Sequence, residues 1–385
     1  LIKKQINNFP KTSQLHGVIF NIFMKADIKN LKNNFVKAKK IFMKNKLKNF
    51  CVTITTNTSK NSKKVYQTPI RIIRKTLIFG IVVYSTDQIK SLCHIFDNSI
   101  DAIFVDTEKK IPFLIGKKFK KNFHSEQLKM IYKKEKLSNE FVELGNLSTT
   151  VKANTNYTLI HEFKPNDITT EHVWLLLRSF LGVFTKKKIA IIGAGNIGFK
   201  LGLKLVESGA NVTLNRRNLN KSMLFANAIN VIKPDATLAN ANFSQDKLKS
   251  CFSANAIVGC TNTFNSISSE MLKCMKPNGI VIDVGKGNIE SKAISYAKKK
   301  NIQILRCDIT TTLTNYIDFY FNFFKKANPA GRKKIDKNTS IISGGYVGKK
   351  GDVIVDNILS PSQILGIADG AGNFQKINSK NKTKL

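Results

Sequence analysis

Gly193-Ala194-Gly195-Asn196-Ile197-Gly198 is the stretch whose residue types and spacing point most directly to chemistry. In a G-x-G-x-x-G run the first glycine permits a tight turn and the second lets main chain approach a diphosphate. The third lets a helix pack close to the strand before it. That helix then offers unpaired N–H groups and the positive end of its dipole to phosphate oxygens. Glycine-rich turns are common, so context decides. Here Ile189-Ala190-Ile191-Ile192 reads as a short buried strand, and Phe199 to Glu207 has helical spacing closed by Ser208-Gly209. Gly193, Gly195, Asn196, Ile197 and Gly198 are the expected seat of a dinucleotide diphosphate.

A second signal closes the next strand, Asn211 to Leu214, which ends in Asn215-Arg216-Arg217. Sites for NAD usually place Asp or Glu about 20 residues beyond the glycine loop, where it accepts from the ribose hydroxyls. A carboxylate there repels a 2′-phosphate, whereas guanidinium groups clamp one. Asn215, Arg216 and Arg217 therefore predict NADP as the cofactor. The blander alternative, two surface arginines on a basic chain, is weakened because arginine is otherwise rare here.

The elements that must hold these residues alternate regularly. Leu219 to Ala228 reads as a helix, Asn230 to Ile232 as a third strand and Ala256 to Cys260 as a fourth, ending in Thr261-Asn262-Thr263. Ser268 to Met275 is helical, and Ile280 to Val284 is a fifth strand ending in Gly285-Lys286-Gly287-Asn288. After the helix from Ile289 to Lys299, a sixth strand, Ile302 to Leu305, runs into Arg306-Cys307-Asp308. Right-handed crossovers of this kind predict an α/β fold with a doubly wound parallel sheet, a Rossmann domain, whose ligands lie beyond the strands' carboxyl ends. Thr261, Asn262, Gly285, Lys286 and Asp308 all fall at such ends. Lys286 and Asp308 are the candidates for proton handling. The alternatives are a surface lysine and a cap on the following helix. His161, near the end of a strand in the first half, is a third candidate or a packing residue.

Residues Lys187 to Asp308 carry a family resemblance. The segments GAGNIG and VTLNRRN resemble the NADP-binding domains of shikimate dehydrogenase and glutamyl-tRNA reductase, whose Asn-Arg-Thr ending here has Arg217 in third place. The later segment IVGCTNTFNSISSEMLKCMKPNGIVIDVGKGN is similar to the matching part of methylenetetrahydrofolate dehydrogenase and adenosylhomocysteinase. The resemblance implies a nicotinamide half beside Thr261 and Asn262. No counterpart of those families' substrate motifs stands upstream of Ile189.

The chain has 385 residues, 42% of them hydrophobic, ample for two compact domains. It begins at Leu1 rather than methionine, as a fragment would, and shows no signal-peptide core. No apolar run is long enough to span a membrane. Cys51, Cys93, Cys251, Cys260, Cys274 and Cys307 are scattered singly, which predicts reduced, mostly buried thiols in a cytoplasmic protein and no metal site. The net charge of +38 reflects lysine spread through every segment. With no recognition module and little arginine, it reads as a solvated coat rather than a nucleic-acid surface. The expected partner is a small-molecule substrate, with a homodimer as a possible assembly.

Residues 1–75 hold 18 Lys or Arg against the single acid Asp27 and form a basic N-terminal region. Apolar residues between Val18 and Met43 suit an amphipathic helix, and Asn57 to Lys64 a polar loop. Residues 76–168 are expected to form a smaller α/β domain holding the substrate. Its strands are Leu77 to Tyr84, Ala102 to Val105 and Tyr157 to Phe163, with helices at Asp87 to Phe96 and between Ser125 and Leu144. Tyr132 and Lys136 make a Y-x-x-x-K spacing that chance explains in so lysine-rich a segment. Residues 169–185 form a connecting helix with Trp174 in its packing, capped by Pro165-Asn166-Asp167. The Rossmann domain spans 186–310. Residues 311–375 combine an aromatic-rich helix, Tyr316 to Phe324, a strand at Val353 to Val355, a turn or short helix at Pro361 to Leu365, and a glycine-rich stretch that is a lid or ordinary loops. Residues 376–385 read as a disordered tail.

The leading functional expectation is an NADP-dependent oxidoreductase. The alternatives are a hydrolase or lyase using a bound nicotinamide cofactor, as adenosylhomocysteinase does, and a non-catalytic dinucleotide- or polyanion-binding module.

Overall fold

The computed structural model describes residues 13–56, 64–108, 132–134, 141–143, 146–326 and 330–375. The chain divides into two units, Leu1–Thr314 and Asn315–Leu385.

The first unit opens with helix α1 (Ser13–Lys44), followed by strands β1 (Asn49–Thr56), β2 (Tyr66–Gln67), β3 (Arg71–Ile73) and β4 (Thr76–Val83). Helix α2 (Thr86–Phe96), strand β5 (Ala102–Asp106), the short strands β6 (Tyr132–Lys134) and β7 (Phe141–Glu143), helix α3 (Leu147–Lys152) and strand β8 (Leu159–Phe163) follow. The sheet order is β2-β4-β1-β5-β8, with β3 also on β4. Strands β4, β1, β5 and β8 run parallel, while β2 and β3 run antiparallel to β4. The apolar, partly β-branched runs of β1 and β4 are buried almost throughout, as parallel strands covered on both faces must be. Leu31, Phe35 and Ala38 of α1, at helical spacing, lie on the sheet, and the Phe35 ring sits 4.8–5.7 Å from those of Phe50, Phe79 and Phe96. Among the described residues before Thr76, α1 and the central strand β1 are thus part of this sheet's fold rather than a separate region. The helix expected between Ser125 and Leu144 is replaced, among the described residues there, by the antiparallel pair β6–β7. Lys136, residues 57–63 and the tail from Lys376 lie outside the described residues.

Helix α4 (Pro165–Leu181) leads out of this sheet and starts earlier than expected, with Pro165 at its first position and Asp167 in its first turn. Trp174 packs rather than binds: its indole N–H donates to Ser208 Oγ at 3.0 Å, its ring lies 6.1 Å from that of Phe184, and the Lys204 ammonium lies 4.6 Å over its face.

The second sheet contains β9 (Lys188–Ile192), β10 (Asn211–Asn215), β11 (Ala241–Ser244), β12 (Ala256–Gly259), β13 (Ile280–Asp283) and β14 (Gln303–Arg306). Between them run α5 (Asn196–Glu207), α6 (Leu219–Ile232), α7 (Lys247–Cys251), α8 (Ser269–Cys274) and α9 (Ser291–Lys299), and α10 (Thr310–Lys326) follows. The order is β11-β10-β9-β12-β13-β14, parallel throughout, which is the doubly wound Rossmann arrangement. One strand moves from its expected place. Asn230 to Ile232 finish α6, because Ser222, Ala226 and Ile229 bury at helical spacing. The third strand begins at Ala241, whose N–H and C=O both bond the Asn230 side chain, at 2.8 and 2.9 Å.

In the second unit, β15 (Arg332–Lys334), β16 (Ser340–Ser343), β17 (Val353–Val355), β18 (Ile364–Ala368) and β19 (Phe374–Gln375) pair in chain order. The turn or helix expected at Pro361 to Leu365 is instead the entry to β18. A forked pair holds the sheet's loops, Arg332 Nε and Nη2 donating to Asp352 at 2.7 and 2.8 Å. Among the described residues no helix is long and apolar enough to cross a membrane.

Candidate dinucleotide site

The glycine loop is shaped by its own main chain. Gly193 has φ +96°, and a side chain there would stand 2.8 Å from the main chain of Cys260 and Thr261. Gly193 and Ala194 donate their N–H groups to the Asn215 carbonyl at 3.0 and 3.1 Å, which ties the loop to the end of β10. A side chain at Gly198 would meet the Gly193 carbonyl at 2.8 Å and Ile191 at 3.1 Å, so the third glycine does serve helix packing. Gly195 differs. A Cβ built there meets nothing within 4 Å, leaving bare main chain at the start of α5. The N–H groups of Asn196, Ile197 and Gly198 precede the first intrahelical bond, Phe199 N–H to Gly195 C=O at 2.9 Å.

Beside this loop lies a cavity of about 400 Å³. It brings together Gly193, Gly195, Asn215, Arg216, Arg217 and Thr261 of the expected set, and adds Lys247 and Ser266. Three cationic side chains line it and, among the described residues, no carboxylate does. The residues present thus suit a polyanion with a diphosphate at the bare loop.

Asn215 does not offer its side chain to a ribose. It is buried, and its Nδ2 donates to the carbonyls of Ser244 and Gln245 at 2.9 and 3.1 Å, riveting β10 to the turn after β11. Arg216 donates to the Ala194 carbonyl at 2.6 Å and stacks 5.4 Å over the Phe225 ring. Arg217 is exposed, and its carbonyl accepts from Gln245 Nε2 at 3.1 Å. Lys247, which the sequence reading missed, donates from Nζ to the Ser266 carbonyl at 2.9 Å. Only the turn that Asn215 holds together brings it here, and local sequence carries no sign of that. Cys260 also lines the cavity, but burial pushes its thiol up to about 12, which removes it as a nucleophile near neutral pH.

The remaining expected residues stand elsewhere. Asn262 is exposed and outside the cavity lining. Gly285 packs against the Thr261 carbonyl and the Asn288 amide. Lys286, at φ +63°, belongs to a turn organised by Asp283, whose buried carboxylate accepts the N–H groups of Lys286, Gly287 and Asn288 at 2.7–3.3 Å. Asn288 then donates to the carbonyls of Thr261 and Thr263 at 2.8 and 3.0 Å, so this turn braces the wall of the cavity.

Asp308 accepts the N–H of Thr310 at 3.0 Å and its hydroxyl at 2.5 Å, and these bonds hold its carboxyl below the usual range. These bonds also fasten the start of α10. Asp308 further feels Arg71, which donates to Thr310 Oγ1 at 3.1 Å, and His172, whose Nδ1 lies 2.9 Å from Thr312 Oγ1. Burial lowers the His172 pKa and the Asp308 charge opposes that. His161 is buried 5.2 Å from the Phe104 ring, and burial lowers its pKa. It is placed as a packing residue.

The family model of the D-isomer specific 2-hydroxyacid dehydrogenase NAD-binding domain matches residues 164–313. That segment is an NAD(P)-binding Rossmann domain, and the match supports a dehydrogenase or reductase. No curated protein sequence matches the chain. Similar solved structures include glutamyl-tRNA reductase from Methanopyrus kandleri, at 14% identity and TM-score 0.32, covering 41% of this chain and 40% of that one. A glycerate dehydrogenase related protein from Thermoplasma acidophilum covers 39% of this chain and 58% of its own, at 13% identity and TM-score 0.29. CAD from Helicobacter pylori, complexed with NADP(H), covers 46% of each chain at 18% identity and TM-score 0.31. The chain spans less than half the length of the first of these.

Proposed function

We propose that this chain is an NADP-dependent oxidoreductase acting on a small substrate, with a nucleotide domain akin to the shikimate dehydrogenase and glutamyl-tRNA reductase group. The observation that carries the reading is the rim of the cavity: Arg216, Arg217 and Lys247 line it, with no acid where an NAD site has one. Gly195 and the first-turn N–H groups of α5 would hold the diphosphate, and cations on the rim a 2′-phosphate. Thr261, braced by Asn288, would stand toward the nicotinamide, a group that supplies hydride chemistry when bound. The turn from Asp283 to Asn288, buried at both ends, braces that wall, a preorganisation that oriented transfer requires. For proton handling we retain Asp308, with His172 beside it, in preference to Lys286, whose turn is built to brace the wall. Burial favours the neutral form of the His172 imidazole, which can accept a proton.

The test is calorimetric titration of the purified chain with NADPH and NADH. NADPH is expected to bind at least about tenfold more tightly, since one charge-assisted contact to phosphate contributes on the order of 1.5–3 kcal/mol. Equal affinities, or a preference for NADH, would overturn the NADP assignment.

A further inference from the structure

We infer that the three cations divide their work: Arg216 positions the glycine loop and does not read the 2′-phosphate, whereas Arg217 and Lys247 form the pair that does. This rests on the NADP reading and deepens it.

Arg216 is engaged on two sides. Its Nη1 donates to the Ala194 carbonyl at 2.6 Å, and its guanidinium stacks over Phe225. Ala194 is the residue between the first two glycines, and its N–H is already held by the Asn215 carbonyl at 3.1 Å. Both polar main-chain groups of Ala194 are thus fixed from the end of β10. What Arg216 secures is the curvature of the diphosphate seat, a feature that phosphorylated and unphosphorylated dinucleotides share.

Arg217 and Lys247 are placed differently. Both are exposed and line the same cavity from adjacent corners, the ends of β10 and β11. Their placement is set by a hydrogen-bonded turn rather than by chance on a lysine-rich surface. The Asn215 amide clamps the carbonyls of Ser244 and Gln245, and Gln245 Nε2 returns to the Arg217 carbonyl. Lys247 begins the helix after that turn and reaches across to Ser266 on the loop beyond β12. An ammonium has three donors, so one bond to Ser266 leaves two for an anion. A phosphate monoester carries about −1.5 to −2 charges near pH 7, more than one cation neutralises.

The experiment uses two nicotinamide-free probes, 2′-phospho-ADP-ribose and ADP-ribose, titrated calorimetrically into the full chain. Arg217→Ala and Lys247→Met are each expected to weaken the phosphorylated probe by about tenfold to a hundredfold and to leave ADP-ribose within about twofold. Arg216→Ala is expected to weaken both probes by a common factor, and Arg216→Lys to restore part of each by bonding Ala194 again. Lys247→Met weakening both probes equally, or neither, overturns the division, as does selective loss of the phosphorylated probe in Arg216→Ala. A wild-type chain that shows no preference between the probes overturns the NADP reading itself and this inference with it. A preference that survives undiminished in Lys247→Met overturns this inference alone.

Discussion

The chain builds two parallel α/β sheets whose carboxyl ends are finished in opposite ways. Each sheet reverses its strand order beside its first long parallel strand, β1 in one and β9 in the other, and such reversals are where open sheets bind ligands. At the end of β9 the chain places glycine, and Gly195 leaves main chain bare beside a cavity. At the ends of β1 and β5 it places its own polar side chains. Thr55 donates to the fully buried Asp106 at 2.7 Å, and the Glu108 N–H donates to the same carboxylate at 2.9 Å. Glu108 in turn accepts from Asn166 N–H at 2.6 Å and from Lys200 Nζ at 3.0 Å, joining the first sheet to α4 and α5. Topology supplies a crevice in both cases. A side chain or its absence decides whether the crevice receives a phosphate or closes on the protein itself.

The largest effect that separates the two ends is expected from Gly195→Val. The backbone there has φ −98°, which valine accepts, and its side chain would enter open space. The variant should fold as the wild type does, yet lose dinucleotide affinity by at least about a hundredfold, because the side chain fills the approach of the diphosphate to main chain. Calorimetry beside thermal unfolding checks both halves. Unchanged affinity would remove the glycine loop from the site.

Asp106→Ala should do the reverse. It leaves the Thr55 hydroxyl and the Glu108 N–H without their acceptor, which costs stability on the order of 3 kcal/mol. Dinucleotide affinity should stay as it was. If calorimetry showed a loss comparable to that of Gly195→Val, the two sheet ends would form a single ligand seat and the contrast drawn between them would fail.

The contrast is partly legible in the residues. Short apolar strands separated by helices and glycine turns specify the order of the second sheet, because each strand must be buried on both faces between right-handed crossovers. The glycine loop is legible for the same reason: few residues tolerate what Gly193 and Gly198 do. The misses have particular causes. β1 is a clear strand, Asn49–Thr56, but its setting among lysines gives it the look of an appendage. β11 is an edge strand with only Ala241 buried, so its alternation carries little signal, whereas the Val231-Ile232 pair that imitates a strand is exposed at the end of α6. Lys286 sits in a Gly-Lys-Gly-Asn run that resembles a ligand loop, yet Asp283 takes up its N–H groups. That exchange lies within a few residues but depends on side-chain direction, which spacing does not reveal.

The smallest effect concerns the opposite end of the first sheet, where a carboxylate does for the chain what a bare glycine loop would do for a ligand, with the roles inverted. Asp97, following α2, accepts the N–H groups of Asn98, Asn156, Tyr157 and Thr158 at 2.8–3.1 Å and so fastens the entry to β8. Slight burial pushes its pKa up, but the bonds from Asn156, Tyr157 and Thr158 outweigh it and bring the pKa down to about 2. A depressed carboxylate stabilises the fold fully above its unfolded value near 3.9 and loses that contribution as pH falls through about 2. The group is largely solvent-screened, so the contribution is below about 1 kcal/mol. Asp97→Asn should therefore unfold at a slightly lower temperature than wild type from pH 7 to pH 5, and the gap should narrow between pH 4 and pH 2. A gap that stays constant across that range would mean that the N–H groups are held by geometry alone and that the charge contributes nothing.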